Sequence, residues 1–151
     1  MGLMFLPELQ EEYDMRCEGS TEWNGQYTYV IHFVHRKDKR SHTLSFGDSH
    51  GGAHAAKLKG RAWIAAATGE VLHLEFALLQ EMPEVKIREW YLSMNYAPVQ
   101  FQTHSARMVL PQTVVAYYNF VDHRTIIDHT FSDFLLFSIQ TDQKTAKPKN
   151  P

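Results

Sequence analysis

Cysteine is almost absent from this 151-residue chain, Cys17 being the only one. A lone thiol excludes an internal disulfide and a cysteine-based zinc site. Long apolar runs are missing as well, and none approaches the roughly 18 residues that a membrane-spanning helix needs. Nor does one sign of charge dominate: 15 Lys and Arg stand against 17 Asp and Glu. That near balance removes the main reason to expect nucleic acid or an anionic membrane surface as primary partner. The opening Met1-Gly2-Leu3-Met4-Phe5-Leu6-Pro7 is apolar but has no basic leader. It is too short for a complete signal peptide, and Leu6 stands where a myristoylation signal carries Ser or Thr. A periplasmic or cell-envelope location is therefore expected only with a signal upstream of Met1, and a cytoplasmic one without it.

Apolar and aromatic residues are plentiful, at 44% and 13%, which excludes an intrinsically disordered chain. Their spacing is that of strands. Tyr27, Tyr29, Ile31 and Phe33 alternate with Thr28, Val30, His32 and Val34, and Asn24-Gly25 just before them is a strong hairpin-turn signal. Residues 12–35 are thus expected to form a hairpin. Further strands are expected at Thr43–Phe46, Lys59–Ile64, Val71–Leu79, Trp90–Phe101, Met108–Tyr118 and Ile126–Ile139. Two phase slips, at Ala97-Pro98 and near Ser132-Asp133, mark bends or bulges. Ala53–Lys57 reads as a helical turn, and Pro83 as the start of a short helix over 84–89 or of a plain loop. The whole is expected to be mostly β, a curved antiparallel meander of about eight strands forming a half-open barrel with little helix. It divides into an extension (1–11), the β domain (12–141) and a polar tail expected to be disordered (142–151).

Several segments share a texture: Lys59-Gly60-Arg61-Ala62-Trp63-Ile64, then Gly69-Glu70-Val71-Leu72-His73-Leu74-Glu75, Tyr96-Ala97-Pro98-Val99-Gln100-Phe101, Leu110-Pro111 and Phe131-Ser132-Asp133-Phe134. Together they resemble uncharacterised bacterial envelope proteins that look like outer-membrane lipoprotein-sorting carriers. The resemblance spans about residues 13–140. It implies an unclosed antiparallel barrel whose concave face accepts an acyl chain or a partner segment. The long helices that line the carriers' cavity have no counterpart in this sequence.

Two chemical readings compete. Gly47-Asp48-Ser49-His50-Gly51 satisfies the Gly-x-Ser-x-Gly pattern of a nucleophile elbow, which makes Ser49 a candidate nucleophile. The surrounding residues read as antiparallel β, and a glycine-rich connecting loop accounts for the same pattern. His50 and His54 have a helical metal-ligand spacing, but Gly51-Gly52 between them disfavours the helix. No three or four ligands converge locally, so neither a metal nor any other cofactor is expected. The second reading starts from strands that are apolar on both faces, at Trp90-Tyr91, Val114-Val115, Tyr117-Tyr118 and Phe134–Phe137. Such strands need a second layer, a homodimer partner, a further N-terminal segment packed on them or an apolar ligand. The expected function is a non-enzymatic binding or interaction module of the cell envelope. Its ligand, lipid, acyl chain or envelope protein, would be held at Trp63, Trp90, Tyr96, Phe101 and Tyr117.

Overall fold

A computed structural model describes residues 5–101 and 107–136. One turn of helix, α1 (Pro7–Gln10), leads into β1 (Tyr13–Trp23) and β2 (Gln26–His35). Asn24 and Gly25 form their turn, both at positive φ (49° and 76°), where Gly costs nothing and Asn little. The short strands β3 (Ser45–Gly47) and β4 (Ala53–Ala55) follow, then β5 (Leu58–Ala65), β6 (Val71–Leu78), β7 (Ile87–Gln100), β8 (Arg107–Phe120) and β9 (Arg124–Thr130).

Seven of these strands make one antiparallel sheet in the order β1-β2-β5-β6-β7-β8-β9, and β3 pairs only with β4. The expected curved, mostly β meander is therefore the fold, an open sheet with a hairpin inserted between its second and third strands. A bulge lies between Asn95 and Tyr96, just before the expected phase slip at Ala97-Pro98, and another between Cys17 and Gly19. Three local expectations need correction. Ala53–Lys57 is no helical turn; Ala53–Ala55 is a strand, since the two glycines before it close a hairpin. Pro83 opens only a 3-10 turn, Pro83–Val85, because Lys86 adopts a left-handed conformation that stops it. The closing strand begins earlier and ends at Thr130; residues 131–136 are not strand, and 137–139 and the tail 142–151 lie outside the described residues.

Register determines the core. One cross-strand row runs Met15, Phe33, Gly60, Phe76, Leu92, Ala116, Ile127 across all seven strands. Gly60 is the gap in it that admits a neighbouring ring. A Cβ there would sit 2.7 Å from the Phe33 ring and 2.8 Å from the Phe76 Cα, besides striking the Glu75 carbonyl oxygen. Phe33, Leu58, Leu74 and Phe76 are excluded from solvent, each contributing about 1.5–3 kcal/mol by burial. What covers this face is the chain before β1 together with the excursion between β2 and β5. The Phe5 ring meets Phe33 edge-on at 6.2 Å, and Phe46 of β3 meets Trp90 edge-on at 5.5 Å. We call residues 36–57 and 5–12 the cover.

Candidate functional site

Side chains alternate across the sheet, so the five residues expected to share a groove do not share a face. Trp90 and Tyr96 belong to the covered face with Leu92, Met94 and Tyr118. Trp63 pairs with Val30 and His73, and Tyr117 with Tyr91, on the opposite face. Phe101 follows β7 and is buried. A single groove rimmed by all five is thus excluded by register.

On the covered face Trp90 is the largest side chain, 3% exposed and ringed by aromatics. Phe76 lies at 5.3 Å and Tyr118 at 6.2 Å between ring centroids, with Phe46 of the cover above. The Trp90 indole Nε1 is buried without a hydrogen-bond partner. Farther along β7, burial pushes the Tyr96 phenol above its usual value.

The opposite face carries a polar network that sequence reasoning did not assemble. His73 is 3% exposed. Its ring stacks on Trp23 at 4.2 Å and meets Trp63 at 4.8 Å. Its Nδ1 lies 2.7 Å from Asn95 Oδ1, while Asn95 Nδ2 donates to Thr113 Oγ1 over 3.0 Å. His73 Nε2 lies 3.0 Å from Glu75 Oε1. Beside it, burial raises the Tyr91 phenol, which is also hydrogen-bonded to Ser93 and Glu75. The sequence signal was the i, i+2 placement of His73 and Glu75. Asn95 and Thr113 reach them only through strand pairing.

A second unforeseen cluster joins the cover to the sheet. The Glu12 carboxylate, 8% exposed, lies 2.5 Å from His42 Nδ1 and 3.6 Å from His35 Nε2. It also accepts the His42 backbone N–H over 3.2 Å. Burial alone would raise its pKa, but the His42 hydrogen bonds and the charge interactions with both histidines outweigh that and hold it below the ordinary value. Ser41 Oγ and His35 Nε2 are buried there without a hydrogen-bond partner.

Ser49 stands exposed at the tip of the β3–β4 hairpin, not on a strand-to-helix turn. No hydrogen bond joins its hydroxyl to a histidine among the described residues. Its neighbour organises the tip instead. Asp48 Oδ1 accepts the His50 and Gly52 backbone N–H groups, and Asp48 Oδ2 lies 2.7 Å from His54 Nε2. These bonds, that to His54 first, hold the Asp48 pKa down to about 2. His50 and His54 therefore serve a turn rather than one helix face. Among the described residues no group of three or more His, Cys, Asp or Glu is placed to hold a metal ion. No helix there is long and apolar enough to cross a membrane. No protein-family model matches the sequence, and no curated protein or solved structure shows significant similarity to it.

Proposed function

We propose that the protein is a non-enzymatic binding module of the bacterial cell envelope that holds an apolar or acyl-bearing ligand against the covered face of its sheet. The observation that carries this reading is the mismatch between that face and its cover. An apolar row crosses seven strands, but the excursion above it adds only a three-residue-per-strand hairpin and the side chains of Leu44, Phe46 and Ala56 to the core. Tyr27 and Tyr29, at one corner of the same face, are 60% and 46% exposed. The middle of that face is sealed, with Phe33, Phe76, Leu92 and Ala116 at most 6% exposed, so the surface it has to offer a ligand is this aromatic corner.

Calorimetric titration with sodium dodecanoate, together with mass spectrometry of a solvent extract of the purified protein, tests the reading. Saturable binding or a co-purified lipid is expected. A protein that binds no dodecanoate and yields no lipid rules the reading out. The rival reading, hydrolysis by Ser49, requires labelling of Ser49 by a fluorophosphonate, and we expect the folded protein to remain unlabelled.

A further inference from the structure

We propose that the outer edge of β9 is a homodimer interface, on which the β9 of a second copy pairs antiparallel about a two-fold axis at Ile126. This surface is separate from the ligand face proposed above and stands without it. β9 closes the seven-stranded sheet, and no described strand pairs with its outer side. Such an edge is a template for another chain unless a bulge, a proline or repelling charges blunt it. The opposite edge strand, β1, carries a bulge between Cys17 and Gly19. β9 runs in unbroken register with β8 and contains no proline.

The β8–β9 ladder shows which backbone groups are on offer. Phe120 N–H donates to the His123 carbonyl and Phe131 N–H to the Gln112 carbonyl, both over 2.8 Å. Antiparallel bonding alternates along a strand, so Thr125, Ile127 and His129 bond to β8, whereas Arg124, Ile126 and Asp128 aim N–H and C=O outward. These three place their side chains on the open face, beside Asn119, Tyr117 and Val115. All three are exposed, Ile126 by 70%. Charge selects the occupant, because this edge is its own complement. With the axis at Ile126, that residue meets Ile126 of the second copy, and at each end an Arg124 meets an Asp128. Each of these pairs is of the kind that exchanges its backbone hydrogen bonds. No salt bridge among the described residues uses Arg124 or Asp128. An axis at Ile127 would instead set Ile126 against Asp128 and Arg124 against Thr130. On the covered face Thr125 meets Ile127 of the second copy, two β-branched side chains that pack across strands. Val115, 36% exposed, and the half-buried Tyr117 widen the apolar strip around the paired isoleucines.

Analytical ultracentrifugation of the full chain and two surface variants tests this. Wild type should pass from monomer to dimer as its concentration rises toward about 1 mM. Arg124→Asp sets two carboxylates against each other at each end of the interface, and Asp128→Arg two guanidinium groups. Each variant alone should dimerise about tenfold more weakly than wild type. Mixed in equal amounts, the two should form a heterodimer as tightly as wild type, since every end then joins an aspartate to an arginine. That recovery excludes misfolding as the cause of either loss. The Ile126 and Asp128 amides of wild type should exchange more slowly as the dimer forms, while in dilute protein β9 remains a fast-exchanging edge. A wild type that stays monomeric, or variants that dimerise as wild type does, overturns the proposal. So does a mixture that recovers no dimer.

Discussion

At Gly60 and Glu12 one residue governs packing, between neighbouring strands of the sheet at Gly60 and between the sheet and its cover at Glu12. At Gly60 even one methyl group collides with the Phe33 ring and with the backbone of β6. Gly60→Ala is therefore expected to destabilise the protein by about 3 kcal/mol, since overpacking against backbone cannot be relieved by a rotamer change. Urea denaturation followed by circular dichroism measures this, and an unchanged midpoint would refute the assigned role. Glu12 ties the segment before β1 to His42 and faces His35. Its pKa is lowered on folding from an ordinary 4.5. The stability it contributes is thus full above that value and lost as pH falls through the lowered one. Glu12→Gln should cost about 1–2 kcal/mol at neutral pH, and the difference from wild type should shrink on acidification. A pH-independent difference would contradict the assignment.

The inserted hairpin has its own acid sensitivity, set by different residues. Asp48 falls from an ordinary 3.8 to about 2 through His54 and two backbone amides. A depressed carboxylate stabilises above its unfolded value, so the hairpin tip should loosen between about pH 4 and pH 2. The amide signals of His50 and Gly52 report this directly, and Asp48→Asn should show the loosened tip already at pH 7. The same element tests the cover. Replacing residues 45–55 with a short Gly-Ser linker should leave the sheet's circular dichroism intact and shift tryptophan emission to the red, as Trp90 loses Phe46. Loss of all sheet signal would show the hairpin to be part of the folding core instead.

Taken whole, the molecule is a meander in which every strand of the large sheet pairs with its nearest strand neighbours in sequence, the one interruption being the hairpin between β2 and β5. Burial is concentrated at the middle, where Leu58, Ala62, Leu74 and Phe76 are sealed, and declines toward β9, where Ile126 is 70% exposed. Local stability follows such gradients. Hydrogen exchange should therefore find the slowest amides in β5, β6 and β7 and the fastest strand amides in β9. Equal protection of β9 and β6 would mean that another layer covers that edge.

Much of this was legible along the chain, and the reason is period. Alternation of two with an Asn-Gly turn specifies β1 and β2 whatever surrounds them, because pleat and positive φ are local properties. The bend in β7 was legible from the proline and the phase slip beside it. Faces were less so: Trp63 and Trp90 look equivalent in sequence, yet an odd offset in register puts them on opposite sides of the sheet. Sites were least legible. His73 meets Asn95, and Glu12 meets His42, across 22 and 30 residues. The sequence by itself thus determined most strands of the large sheet, the Asn24-Gly25 turn and the exclusion of an internal disulfide, since each depends on composition or neighbouring residues alone. Only the tertiary structure decided which apolar face is covered and which polar groups find partners, since cross-strand register and the fold-back of residues 36–57 join residues that share no local signal.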